Sequence, residues 1–205
     1  LAGSEDERTT YRIKAGVPVP MVETAIMTAD GRFLPHDGEA QGELVLRAPW
    51  LTQGYFREPQ KGEELWEHGW LHTGDVATLD GMGFIDIRDR IKDVIKTGGE
   101  WISSLELEDL ISRHPAVREV AVVGIADPQW GERPFALLVL RESAELDARG
   151  LKEHLKPFVE QGHINKWAIP TQIALVTDIP KTSVGKLDKK RIRLDIAQWQ
   201  AAGST

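Results

Sequence analysis

GFIDIRDRIKDVIKTGGEWISSLELE, residues 83–108, is the stretch in which this chain changes character. It opens on a short apolar run, GFIDI, that reads as a strand. Four charges then fall within the five residues Asp89, Arg90, Ile91, Lys92 and Asp93. A second strand-like run covers 94–97 and stops at Gly98 and Gly99. Adjacent glycines mark a backbone position that another group must approach closely, because neither carries a Cβ. After Glu100 and Trp101 comes a helix start. Ser103 stands three residues before Glu106, the spacing of a capping box. Leu105, Leu107, Leu110 and Ile111 supply the packing positions of a helix over 105–113, which Pro115 brings to an end.

Outward from this point the two sides of the chain differ. Up to about residue 88 it is turn-rich. Strand-like runs at 22–28, 42–47 and 83–87 are cut by Gly, Pro and Asp, with Ala29, Asp30, Gly31 and Arg32 forming one of the turns. Short strands separated by turns predict a small β barrel or sandwich. Beyond residue 88, strands are predicted at 94–97, 117–126, 135–141 and 171–177. Helices are predicted at 105–113, at 151–161 with an interruption or kink near Pro157, and at 187–199. The last has Ile192, Ile196 and Trp199 at helical spacing. The expected class is therefore α+β, with a β subdomain over 1–89 and a separate α+β domain over 90–205.

Composition narrows the function. The 205 residues carry a net charge of −7, so nothing draws the whole chain to nucleic acid or to an anionic membrane. There is no cysteine, hence no disulfide, thiolate nucleophile or Cys-type zinc site. The N-terminus lacks the basic and apolar regions of a signal peptide. The longest apolar run, around 120–125, falls far short of the roughly 18 residues of a membrane span. A cytoplasmic location is expected. The first residue is Leu1 rather than Met, which suggests a fragment or a processed product.

Three polar stretches are candidates for chemistry. Thr73, Gly74 and Asp75 follow an apolar segment and put a carboxylate on a tight turn. That carboxylate can accept two hydrogen bonds from a vicinal diol such as a ribose, or can close an Asx-type turn on its own backbone. The charged run 89–93 is either an exposed linker or a hinge whose Arg90 and Lys92 face a polar ligand. PKTSVGKLDKK, residues 180–190, has Gly185 and Lys186 at a loop tip, as a phosphate cradle would, or is a solvated cationic helix end. It is not a Walker A loop, since Pro180 stands where the first glycine belongs. Six basic residues lie between Lys181 and Arg193, but interleaved aromatics are missing, which argues against nucleic acid. His68 and His72 are four apart with no third ligand in view, so no metal site is expected. No GxSxG occurs, which leaves a serine hydrolase without support.

The order and spacing of these stretches are more specific than any one of them. GWLHTGD, then the 83–108 stretch, then PKTSVGKLDKK closely resemble the C-terminal third of the adenylate-forming superfamily. Its members include acyl-CoA synthetases, peptide-synthetase adenylation domains and firefly luciferase. The resemblance covers about residues 11–199. GGEWISS together with WGERP (130–134) is most similar to medium- and long-chain fatty acyl-CoA synthetases. The resemblance implies that a carboxylate attacks the α-phosphate of ATP to give acyl-AMP, and that coenzyme A then takes the acyl group. A small mobile C-terminal domain would rotate between these steps. By motif, Asp75 with its neighbour Thr73 would hold the ribose and Arg90 would support the ribose or the phosphates. Lys92 would be the hinge, and Lys186 would bridge the carboxylate and the α-phosphate. Gly98 and Gly99 would leave room for the pantetheine arm. Glu100 and Trp101 would flank CoA, Trp101 having domain packing as its other reading. Trp130 would meet the CoA adenine, and Lys96 matches a lysine used in the second conformation. ATP, Mg²⁺, CoA and a fatty acid are the implied cofactors and substrates. The family's phosphate loop, its adenine motif and the acyl pocket are expected upstream of Leu1, in a missing N-terminal domain that would be the chain's partner. Alone, the chain is expected to have little or no ligase activity. The remaining readings are an aryl- or amino-acid-adenylating ligase, and a non-catalytic nucleotide- or CoA-binding module.

Overall fold

The computed structural model describes residues 5–202. The fold is α+β, and the chain divides into two compact units, Leu1–Lys92 and Asp93–Thr205.

The first unit begins with helix α1 (Glu5–Arg12). It continues through strands β1 (Glu23–Met27) and β2 (Gly42–Arg47), helix α2 (Pro59–Leu65), the two-residue strand β3 (Trp66–Glu67), β4 (Trp70–Leu79) and β5 (Ile85–Arg90). All pairings are antiparallel, in the order β1-β2-β4-β3, with β5 also on β4. Side chains alternate across a strand, so register partners share a face. Ile26 and Leu44 pack with Ala77, Leu79 and Ile85, while Ala25, Met27 and Val45 pack with Trp70. The sequence reading has no strand over 70–79. Gly74 and the polar Thr73 and Asp75 break the apolar alternation there.

The second unit opens with a hairpin of β6 (Ile95–Thr97) and β7 (Glu100–Ile102). Helix α3 (Ser104–Ser112), β8 (Val117–Asp127), β9 (Gly131–Leu140) and helix α4 (Ala148–Glu160) follow. A 3-10 turn (Lys166–Ala168), β10 (Gln172–Leu175), α5 (Lys189–Leu194) and α6 (Ile196–Ala202) complete it. The sheet order is β10-β9-β6-β7, with β8 on β9; β10 runs parallel to β9. β8 and β9 are apolar on successive residues because both of their faces are covered, as in buried sheets generally. Val120, Val122, Ala136 and Leu138 meet Leu107, Ile111, Leu151 and Leu155 from α3 and α4. Ala121, Val123, Phe135 and Leu137 meet Ile179, Ile192 and, at the margin, Ile196 and Trp199. Each fully buried side chain of this size contributes about 1.5–3 kcal/mol.

The N-cap of the expected capping box is present: the Ser103 Oγ accepts the Glu106 N–H at 3.1 Å. Two helix expectations are corrected. α4 is not interrupted at Pro157. It runs through that residue and starts earlier, where Asp147 Oδ1 accepts the Gly150 N–H at 2.7 Å. The expected single terminal helix is two helices that part at Asp195, whose carboxylate takes the Arg191 Nε–H at 2.6 Å. No helix among the described residues is long and apolar enough to cross a membrane.

Candidate active site

In the first unit Thr73, Gly74 and Asp75 lie inside β4, not on a tight turn. Val45 pairs with His72 and Glu43 with Val76, so three residues of β4 face the single residue Leu44 of β2. That is a β-bulge, a device that re-aims a side chain out of the ladder. Gly74 takes φ +71°, a left-handed conformation that favours glycine. The Thr73 hydroxyl donates to the Leu44 carbonyl at 2.7 Å and accepts the Asp75 N–H at 3.1 Å. The Gly74 carbonyl accepts the Ile91 N–H at 2.9 Å.

Asp75 is the register partner of Arg90, and the two form an ion pair with Arg90 Nε 2.7 Å from Asp75 Oδ1. The carboxylate is about three-quarters buried, yet its second oxygen has no partner among the described residues, nor do the terminal guanidinium nitrogens of Arg90. A free carboxylate oxygen beside free N–H groups suits a ligand with hydroxyls next to an anion. Residues 89–93 are not one exposed linker. Asp89 is buried, Asp89 and Arg90 end β5, and the turn begins at Ile91. Lys92 is exposed in that turn, and Asp93 is tied into the second unit by Arg193 Nη2 at 2.8 Å.

In the second unit Gly98 and Gly99 are the two-residue turn of the β6–β7 hairpin, with φ +58° and +89°. Two positive φ values in succession are what a tight hairpin turn of matching twist requires. The two glycines differ in their surroundings. A Cβ on Gly99 would meet open space, whereas one on Gly98 would come to 3.0 Å from the Trp130 ring. Trp130 and Glu132 clamp the hairpin. The Gly98 N–H donates to the Trp130 carbonyl at 2.8 Å, the Lys96 N–H to Glu132 Oε2 at 2.8 Å, and the Thr97 hydroxyl to the Glu132 carbonyl. Lys96 and Trp101 are cross-strand partners, with the ammonium 5.7 Å from the ring centroid. Glu100 is exposed next to the turn.

Behind Trp130 the structure gathers residues that sequence reasoning missed. The Trp130 ring lies 4.7 Å from that of Trp167, and Arg133 and Lys166 place their cations 5.8 and 4.7 Å from the Trp167 centroid. Arg133 is only 9% exposed, and its Nη1 has no hydrogen-bond partner. Arg133, Lys166 and Trp167 line, with Arg149 and Lys152, a cleft of about 730 Å³. The available signal was the tryptophan with adjacent cations in both WGERP and NKWAIP.

Lys186 sits on a braced loop. Lys181 and Leu187 form a bridge, and the Thr182 N–H donates to the Lys186 carbonyl at 2.7 Å. The Thr182 hydroxyl accepts the Lys186 N–H at 3.2 Å, and Gly185 turns at φ +80°. Two neighbouring lysines, Lys181 and Lys189, are occupied. Lys181 pairs with Glu119 at 2.8 Å, a contact that raises its pKa. Lys189 is buried, with its ammonium 2.7 Å from both Ser104 Oγ and Glu108 Oε1. The Lys186 ammonium is exposed and has no partner among the described residues. This part of 180–190 is a hydrogen-bonded loop that leads into α5, with the Lys186 side chain exposed. Among the described residues no group of three or more His, Cys, Asp or Glu could hold a metal ion. His72 pairs instead with Glu43 at 2.8 Å.

Residues 106–186 match the AMP-binding enzyme C-terminal domain, and this stretch belongs to that domain family. It is 41% identical over 191 residues, 93% of its length, to a long-chain-fatty-acid–CoA ligase of Thermus thermophilus, of which it covers 34%. It is 37% identical over 190 residues, also 93% of its length, to a medium-chain-fatty-acid–CoA ligase of Ectopseudomonas oleovorans, again covering 34%. Among solved structures, o-succinylbenzoate CoA synthetase of Bacillus subtilis in complex with its acyl-adenylate intermediate matches with a TM-score of 0.78 and 30% identity. That match covers 93% of this chain and 37% of the synthetase. The chain thus spans about a third of the length of the curated relatives it matches.

Proposed function

We propose that the chain is the C-terminal part of an AMP-forming fatty acid–CoA ligase. The observation that carries this reading is the unpaired Lys186 ammonium on a braced loop, between Lys181 and Lys189, which are both spent on structure. In the first half-reaction a carboxylate oxygen attacks the α-phosphorus of ATP, the bond to the bridging oxygen breaks, and pyrophosphate leaves with its electrons. Negative charge builds on the α-phosphate oxygens during this displacement. A preplaced cation at such a point is worth roughly 3–4 kcal/mol, and a lysine ammonium is a suitable point charge for it. Asp75, held by Thr73 and Arg90, accepts the ribose hydroxyls, and Arg90 offers its free N–H groups to ribose or phosphate oxygens. Mg²⁺ accompanies the phosphates and neutralises their charge.

In the second half-reaction the CoA thiolate attacks the acyl carbonyl and AMP leaves. The β6–β7 hairpin serves this step. Gly99 opens space for the pantetheine arm, and Gly98 does so when Trp130 turns aside. Glu100, Trp101 and Lys96 flank the arm, and Trp130 meets the adenine. The cationic cleft beside Trp130 supports a ligand that joins an aromatic base to phosphates. Lys92 is the hinge about which the second unit changes its presentation. The remainder of a full-length ligase is the partner, and the cytoplasm, where ATP and CoA are both available, is the compartment. A second reading, an aryl-acid ligase, is favoured by the 32% identity to trans-cinnamate:CoA ligase of Petunia hybrida.

The test is a pyrophosphate-release screen of the enzyme that carries this chain. It would use fatty acids of graded length, benzoate, cinnamate and amino acids, with and without CoA. Turnover confined to fatty acids and completed by CoA is expected. Turnover with cinnamate alone would replace the substrate and keep the mechanism. Activation that CoA never completes would contradict the ligase reading.

A further inference from the structure

Glu43 on β2 faces the bulge that carries Asp75, and both of its carboxylate oxygens are engaged there. Oε1 accepts the Gly74 N–H at 2.9 Å, and Oε2 pairs with His72 Nδ1 at 2.8 Å. The two partners lie on either side of Thr73, so one side chain grips the bulge across its first half. Less than a fifth of either the Glu43 or the His72 side chain is exposed. His72 Nε2 is buried without a partner. An ionised carboxylate oxygen only accepts, so the ring nitrogen facing it, Nδ1, carries the proton and donates to Glu43. Both of Glu43's partners are then N–H donors. A carboxylate satisfies two donors at once, whereas an amide has a single acceptor oxygen.

We propose that Glu43 is a positioning residue for Asp75. It holds Gly74 in its left-handed conformation and so fixes the direction in which the next residue presents its carboxylate beside Arg90. Three extra bonds otherwise define the bulge: Thr73 to the Leu44 carbonyl, Asp75 N–H to Thr73, and Ile91 N–H to the Gly74 carbonyl. None of them reaches the Gly74 N–H, which makes Glu43 its acceptor. The functional consequence rests on the reading of Asp75 as the ribose acceptor.

The experiment uses the full-length enzyme and the variants Glu43→Ala, Glu43→Gln, Asp75→Ala and Glu43→Ala/Asp75→Ala. It reads amide hydrogen exchange at Gly74 and the KM for ATP and for the carboxylic acid. In Glu43→Ala, Gly74 exchange is expected to rise about ten-fold or more relative to core amides of β2. The KM for ATP is expected to rise about ten-fold, the worth of one hydrogen bond to a charged group. The KM for the acid stays put. Glu43→Gln, able to satisfy one donor, falls between. The double variant is no worse than Asp75→Ala alone. Unchanged Gly74 exchange in Glu43→Ala overturns the proposal. So does a double variant in which the two losses multiply, or a rise in both KM values together, which is the mark of general destabilisation. If Asp75→Ala itself leaves the KM for ATP unchanged, the ribose reading falls instead, and the Gly74 exchange alone decides whether Glu43 sets the bulge.

Discussion

Lys189 shows how a residue's role is set by what it meets. It lies three positions from Lys186 in a run of basic residues, yet it is 8% exposed and spent on Ser104 and Glu108. Glu108 Oε1 also accepts the Val122 N–H at 2.8 Å, so the ammonium links the start of α5, the first turn of α3 and β8. Removing one partner of a buried pair leaves the other charge uncompensated, at a cost of about 3–5 kcal/mol. Lys189→Met is therefore expected to lower unfolding stability by that order, measured by urea denaturation of the chain. Lys186→Met, on an exposed loop, should leave stability within about 0.5 kcal/mol. Equal stability of the two variants would show that Lys189 carries no structural load. Nothing in the local sequence marks Lys189 as buried. The partner that buries Lys189 lies 85 residues away, a distance no spacing rule spans. Lys186 was legible because Gly185 precedes it at a loop tip. Glu43, Arg133 and Trp167 were not, since their partners come from other strands and turns.

At the scale of elements, the bulge in β4 of the first unit and the β6–β7 hairpin of the second each carry candidate residues, and each depends on left-handed glycines. The glycine pair was visible as a signal, and the structure places it in the two-residue turn of the hairpin. A residue with a Cβ in that conformation costs about 1–2 kcal/mol. Gly99→Ala is expected to cost about that much. Gly98→Ala is expected to cost more, because its Cβ would also press on Trp130 at 3.0 Å. Thermal unfolding of the two variants checks the order, and equal losses would argue that the Trp130 ring yields freely. The main strands of the second unit, β8 and β9, were legible from continuous apolar runs. β4 was not, because a bulge built on Thr73, Gly74 and Asp75 reads locally as a turn. The break between α5 and α6 was hidden for a related reason: Asp195 keeps the helical spacing of Ile192, Ile196 and Trp199 while ending one helix.

For the whole molecule, the division falls between Lys92 and Asp93, within the charged run that stood out in the sequence. Arg90 belongs to the first unit through its pairing with Asp75. Lys92 has no side-chain partner among the described residues, while Asp93 is fastened to Arg193. Lys92→Pro fixes φ near −65°. In the full-length enzyme it is expected to slow thioester formation about ten-fold or more relative to acyl-AMP formation. A second half-reaction that proceeds unaltered would count against the hinge.

The central claim is that Lys186 serves acyl-AMP formation, and the most direct measurement separates the two half-reactions in the Lys186→Ala variant of the full-length enzyme. Pyrophosphate release from ATP and acid is expected to fall by about 10²–10³, the worth of a preplaced charge at the α-phosphate. Thioester formation from supplied acyl-AMP and CoA is expected to stay close to that of the parent. An equal fall in both half-reactions, or none in the first, would contradict the account.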